Sequence, residues 1–205
     1  WRLTTIDAKR NAKPLPPPAG GEEVGGDKAK MPVVVYSHGL TGVAAIYTYQ
    51  AMNVAAGGTC VLMVDHTDGS APMVERIDGS VLPYDDGPAK ECYIEKKIEY
   101  ADYVRKRRAQ VDHRVEEVLS SLRSLLSLDR GDQLDLLSAG ISFAGRLDTS
   151  NVTLMGHSFG GATALSAAAR CPDLVTAVVA HDPAVDWMPD GARRALFPDD
   201  RLMGS

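Results

Sequence analysis

The residues best placed to do chemistry lie in Gly156-His157-Ser158-Phe159-Gly160, a G-x-S-x-G. A short apolar run, Val152 to Met155, leads into it, and an Ala-rich helical segment leaves it. Strand, sharp turn and helix in that order form the context in which such a motif throws a serine hydroxyl clear of the backbone. Ser158 is then a candidate nucleophile for acyl transfer, a role that needs a base to take the hydroxyl proton. Side chains two before and two after the serine would collide where the helix folds back on the strand, so Gly156 and Gly160 answer a steric demand. The N–H of Phe159 falls at the helix start, where unpaired donors and the positive dipole end face a developing oxyanion.

Two further groups complete the candidate chemistry. Asp182 follows the apolar run Leu174 to His181, 24 positions after Ser158, where the acid of a Ser–acid–His order belongs. Its task would be to hold an imidazole in one tautomer and balance its charge. Asp186 is the alternative acid. His38-Gly39-Leu40 follows an early apolar run and matches the segment that supplies a second oxyanion donor, the backbone N–H of Leu40. Trp187 and Met188 are candidates for lining an acyl pocket, or equally for covering the core.

The five histidines are His38, His66, His113, His157 and His181, and none lies between Asp182 and Ser205. In this chain order the base should follow the acid, which places the expected histidine beyond Ser205. His181 neighbours Asp182 on a strand, so the two side chains should point to opposite faces. Asp65, His66 and Asp68 are close in sequence, but their spacing is not that of a calcium loop, and they read as a turn. No metal site and no cofactor are expected. Arg105-Lys106-Arg107-Arg108 reads as a solvated helix face.

The elements that must position these groups are legible from hydrophobic pattern. Val33 to Ser37, Thr59 to Asp65, the run before the elbow and Leu174 to His181 read as four buried strands. Residues 44–56 read as a helix stopped by Gly57-Gly58. From about 94 to 127, Val104, Val111, Val115, Val118, Leu122 and Leu125 share one helical face, with Gly131 as the stop. Strands separated by helices predict an α/β fold with a mostly parallel sheet. In such sheets ligands sit outside the carboxyl ends of the strands. His38, His66, Ser158 and Asp182 all follow strand ends and should meet on that rim. Residues 1–10 read as an edge strand and 11–30 as a Pro/Gly-rich flexible connection. Residues 66–151 read as a long, largely helical excursion, with 72–92 as loop and a shorter helix and loop over 132–146.

Length and composition narrow the classes. At 205 residues, 44% hydrophobic and 24% charged, the chain fits one globular domain. A net charge of −5 argues against general nucleic-acid binding. Three cysteines, Cys60, Cys92 and Cys171, make neither a disulfide framework nor a zinc motif. The chain starts at Trp1 without a charged-then-apolar leader, so it reads as incomplete at both ends, with a lean toward the cytoplasm.

Taken together, Ser-His-Gly-Leu at 37–40, Asp-His-x-Asp-x-Ser-Ala at 65–71, Gly-His-Ser-Phe-Gly-Gly-Ala-Thr at 156–163 and Asp182 followed by Trp-Met resemble the platelet-activating factor acetylhydrolases. The resemblance runs from about 33 to 190 and includes the helix near 105–118. It implies the α/β-hydrolase fold and calcium-independent serine hydrolysis of short or oxidised sn-2 acyl esters of phospholipids. It also implies Ser158 as nucleophile, Asp182 as acid, Leu40 and Phe159 as oxyanion donors, and transient contact with a membrane or lipoprotein surface. Two features depart from the family. Trp187 stands five positions after Asp182 rather than two, and the family's C-terminal histidine is absent, so this chain alone should not turn over. Other readings are a general carboxylesterase, thioesterase or polyester hydrolase, or a non-catalytic lipid-binding relative.

Overall fold

The computed structural model describes residues 30–76, 78–132 and 142–198. The readings of residues 1–10, of nearly all of 11–30 and of most of 132–146 lie outside them. Strand β1 (Met31–Ser37) lies between β2 (Cys60–Val64) and β5 (Leu147–His157), and β5 also carries β6 (Val175–His181). The order is β2-β1-β5-β6 and every pairing is parallel. Parallel neighbours need crossovers, and helices supply them. A 3-10 turn (Ala44–Tyr47) and helix α1 (Thr48–Ala56) join β1 to β2. A hairpin of β3 (Met73–Glu75) and β4 (Val81–Pro83), a single turn α2 (Gly87–Ala89), a π-helical turn (Lys90–Ile94) and helix α3 (Tyr100–Arg130) lead to β5. Helix α4 (Phe159–Arg170) joins β5 to β6, and a 3-10 turn (Val185–Trp187) and α5 (Asp190–Leu196) follow.

Alternation along β1 sorts the layers. Val33 and Val35 join Val111, Val115, Val118, Leu122 and Leu125 of α3, Val152 and Leu154 of β5, and Ala164 and Ala167 of α4 in the main core. Val34 and Tyr36 face the other way and pack with Met155, Tyr47 and Val54. Helices thus cover both faces of the sheet. α3 ends where its sequence says: Gly131 is left-handed at φ 89°, its N–H bonds the Leu128 carbonyl, and Asp132 N–H bonds that of Ser127. Those two bonds are the Schellman pair.

The structure corrects four expectations. Only β1 and the Val152–Gly156 part of β5 are largely buried; β2 and β6 are half-buried to exposed because each has one neighbour among the described residues. α3 begins at Tyr100 rather than 94, since the π turn and a left-handed Lys96 at φ 54° precede it. The 72–92 segment carries the hairpin and the α2 turn instead of loop alone. The basic run is not all solvated: Arg107 is fully buried, over the rings of Tyr103 and Trp187. Steps of four and then seven place Arg107, Val111 and Val118 on the helix face that packs inward.

Candidate active site

The register of the sheet sets the site. Ser37 pairs with Gly156, and His157 pairs with His181, so β1, β5 and β6 end together. Their next residues are His38, Ser158 and Asp182. Ser158 occupies φ 52°, ψ −114°, a conformation a side chain rarely adopts. Such a residue costs about 1–3 kcal/mol, which the surrounding packing must offset. The turn is tight: a Cβ on Gly156 would stand 2.2 Å from the Gly160 carbonyl oxygen. A Cβ on Gly160 would stand 2.0 Å from the Ser37 carbonyl oxygen and 2.6 Å from that of His38. The first turn of α4 therefore lies main chain against main chain on the segment leaving β1. Ser158 is half-buried, and Phe159, fully buried, opens the helix.

The segment after β1 engages the donors on either side of Leu40. Gly39 N–H donates to the Tyr47 hydroxyl at 3.1 Å. Thr41 N–H donates to the Ser70 carbonyl at 2.8 Å, and Gly42 N–H to that of Gly39 at 3.0 Å. Among the described residues the Leu40 N–H has no such acceptor. The Phe159 N–H is likewise a first-turn donor without an intrahelical partner.

Asp182 takes φ 44° at the end of β6. Ser158 N–H donates to the His181 carbonyl at 2.8 Å, and Ala184 N–H donates to the Ser158 carbonyl at 3.0 Å, so Asp182 is bracketed by the serine's own main chain. It is exposed and makes no side-chain hydrogen bond among the described residues. Asp186 lies on the following 3-10 turn, where its carbonyl accepts from Arg108 at 3.2 Å. Trp187 stands edge-on to Phe159 at 5.4 Å and to Tyr103 at 5.7 Å. Met188 is fully buried.

His38 and His66 follow strand ends, as the sequence reading places them, but their side chains turn inward. Both are 0% exposed. Arg114, also 0% exposed, is the hub between them. Its Nε donates to Asp68 Oδ2 at 2.8 Å and its Nη1 to the His38 carbonyl at 2.7 Å; its Nη2 meets Ser70 Oγ. Its guanidinium lies 4.4 Å from the centre of the Phe159 ring. His66 Nε2 is 2.8 Å from Ser37 Oγ and its Nδ1 is 2.7 Å from Glu117 Oε2. These are the bonds of a Ser-His-acid relay. Ser37 and His66 are nevertheless sealed from solvent at 1% and 0% exposure, so no substrate reaches them. Burial, then Arg114, push the His66 pKa down to about 4, so it is a neutral donor to Glu117 rather than half of an ion pair. Burial alone would raise the Glu117 carboxyl. The hydrogen bonds from His66 and Thr67 outweigh it and bring that carboxyl to about 2.

The remaining histidines are also engaged. His157 Nδ1 bonds the Tyr47 hydroxyl at 2.9 Å, His181 faces Gln50, and His113 bonds Thr67 at 3.1 Å. None bonds Ser158 or Asp182. Asp65, His66 and Asp68 take three different partners: Ala44 N–H, Glu117 and Arg114. No group of three or more potential metal ligands gathers among the described residues.

Sequence reasoning missed Arg114, Glu117 and Tyr47. The signal for Arg114 was present: it is a charge on the face that also carries Val111 and Val118. Such a charge is buried only when paired. Tyr47 and Glu117 gave little signal, since their bonds to His157 and to His66 and Thr67 span 110 and 50–51 positions, although their partners Gly39 and His113 are nearer in sequence.

A parallel sheet covered by helices on both faces, with a strand–serine–helix elbow on its carboxyl rim, defines the α/β-hydrolase fold. The chain belongs to the family described as platelet-activating factor acetylhydrolase, isoform II, whose sequence model matches residues 16–189. It is 34% identical over 144 residues to the platelet-activating factor acetylhydrolase of Cavia porcellus, a match covering 66% of this chain and 31% of that one. It is 30% identical over 153 residues to that of Gallus gallus, covering 69% and 36%. The chain thus spans about a third of the length of the curated relatives it matches. A solved structure described under "LipS and LipT, two metagenome-derived lipolytic enzymes" superposes at a TM-score of 0.39 with 17% identity, covering 76% of this chain and 43% of that one.

Proposed function

We propose that the protein carrying this chain is a calcium-independent serine hydrolase that cleaves short or oxidised sn-2 acyl esters of phospholipids. Ser158 Oγ attacks the ester carbonyl, and the oxyanion rests on the N–H groups of Leu40 and Phe159. Asp182 orients a histidine that this chain does not contain, and that histidine moves the proton and then activates water on the acyl-enzyme. On this reading the chain by itself turns over no substrate. The observation that carries the proposal is the left-handed, half-exposed Ser158 between β5 and α4, together with a Leu40 N–H that has no acceptor among the described residues, on the segment leaving the paired strand β1. Family membership supports the phospholipid ester as substrate class. Contact with a membrane or lipoprotein surface during turnover belongs to the same proposal. No described helix is long and apolar enough to cross a membrane.

The test is turnover by the full-length protein of a short sn-2 acyl phospholipid, a long-chain phospholipid and a simple aryl ester, each with excess chelator. The expected result is a preference for the short phospholipid, unchanged by chelator and abolished in Ser158→Ala. Undiminished turnover in Ser158→Ala, or complete loss on chelation, contradicts the proposal. A preference for the aryl ester supports a general carboxylesterase instead.

A further inference from the structure

The donor proposed at Leu40 belongs to the peptide group that joins Gly39 to Leu40. A trans peptide is planar, and its carbonyl oxygen and amide hydrogen point in opposite directions. Whatever fixes the Gly39 carbonyl therefore aims the Leu40 N–H. That carbonyl has two partners: the Gly42 N–H at 3.0 Å and His38 Nδ1 at 2.8 Å. We propose that His38 is a positioning residue of the oxyanion hole. Its neutral imidazole, protonated at Nδ1, holds the Gly39 carbonyl inward and so turns the Leu40 N–H toward the serine. This inference rests on the oxyanion assignment made above.

The surroundings dictate the tautomer. The His66 main-chain N–H can only donate, and it lies 3.3 Å from His38 Nε2. Nε2 must accept it and cannot carry a proton, which leaves the proton on Nδ1, directed at Gly39 O. An imidazolium would set a second N–H against that of His66 and a positive charge against Arg114. The Arg114 Nη2, a donor only, also lies 3.4 Å from Nδ1, but the Gly39 carbonyl at 2.8 Å is the nearer partner of that nitrogen and the one that takes its proton. Burial, then Arg114, lower the His38 pKa, in the same sense. The preceding peptide group is fixed as well: Arg114 donates to the His38 carbonyl, and Tyr47 accepts from the Gly39 N–H. Two successive peptide planes are thus held by side chains from α3, from the turn before α1, and from His38 itself. A histidine in the catalytic rim is here a geometric brace with no proton to move.

The experiment uses the full-length protein with Ser158→Ala, His38→Asn and His38→Gln. Asparagine keeps an N–H near the Nδ1 position; glutamine moves its amide out toward the Nε2 position. The account expects His38→Gln to lose about 100-fold in kcat, the scale of one missing oxyanion donor. KM should stay within about twofold. Affinity for a trifluoromethyl ketone analogue should fall in parallel with kcat, and His38→Asn should recover a large part of both. A merely structural role would lower Tm without that parallel loss. Imidazole 15N shifts of the wild-type protein supply a readout independent of folding variants, and they should show His38 as the neutral Nδ1–H form. An Nε2–H form or an imidazolium at neutral pH overturns the proposal. So does a folded His38→Gln with unchanged kcat and inhibitor affinity beside an inactive Ser158→Ala, which would leave the hydrolase reading intact. An active Ser158→Ala removes that reading, and this inference with it.

Discussion

Alanine substitutions at the elbow glycines test the packing with a change of sign. Gly160 and Gly161 are both helical, and alanine in place of a helical glycine ordinarily stabilises by about 1 kcal/mol. The structure reverses that at Gly160. Its Cβ would lie 2.0 Å from Ser37 O, 2.5 Å from Ser37 C and 2.6 Å from His38 O, all main-chain atoms of an inner strand and the loop leaving it. Relief needs a shift of roughly 1 Å in either α4 or the His38–Leu40 segment, and overpacking of that kind costs about 1–3 kcal/mol or more. At Gly161 the nearest atom is Pro183 Cβ at 3.0 Å, where a few tenths of an ångström suffice. A chain of this size loses about 2–4 °C of Tm per kcal/mol. Gly160→Ala should therefore melt about 2–12 °C lower, and Gly161→Ala within about 3 °C of wild type. Esterase activity measured on the same samples below their melting range should fall at least about 100-fold in Gly160→Ala, because the shift separates the two oxyanion donors. A Gly160→Ala protein that is more stable than wild type, as helix propensity alone predicts, refutes the close approach of α4 to β1.

Arg114→Met should cost about 3–5 kcal/mol in chemical denaturation, because it strands the buried carboxylate of Asp68, 1% exposed; a loss under about 1 kcal/mol contradicts the hub. Acid should weaken the fold in two steps. The folded chain holds His66 neutral down to about pH 4 against an ordinary 6.5, and Glu117 ionised down to about 2 against 4.5. The unfolded chain thus binds protons that the folded chain refuses, and stability falls as pH drops through those windows. The first step should amount to roughly 3 kcal/mol and shrink in His66→Gln, and a denaturation midpoint independent of pH from 7 to 4 would contradict the neutral His66. Tyr47→Phe removes the acceptor of the Gly39 N–H and the partner of His157 while keeping the ring. Its kcat should fall about 3- to 10-fold with a stability loss of about 1 kcal/mol, and unchanged kcat would show the hydroxyl to be irrelevant to the loop.

How much of this was legible in the sequence follows from the range of the interactions. The elbow is local: strand, Gly156, Ser158, Gly160 and helix are adjacent, and their steric logic is complete within a dozen residues. The rim alignment was legible too, since apolar runs ending at Ser37, Met155 and His181 must stop at one edge if the strands are parallel. Burial of individual strands was not, because a run such as Val175 to His181 reads alike in the middle of a sheet and at its edge. The hub of Arg114 with His38, Asp68 and Ser70 brings together residues up to 76 positions apart, so no window of sequence contains it. His38 and His66 were assigned to the rim by position, but only packing decides whether a strand-end histidine faces substrate or the interior. The buried Ser37–His66–Glu117 relay makes the point sharply: it has hydrogen bonds of catalytic form and no route for a substrate.

That relay also defines the most direct test of the account. The full-length protein should be treated with a fluorophosphonate, which is attacked by activated serines, and the adduct located by mass spectrometry. The account predicts one modified residue, Ser158, with labelling lost in Ser158→Ala and retained in Ser37→Ala. An adduct on Ser37, or labelling undiminished in Ser158→Ala, would contradict it.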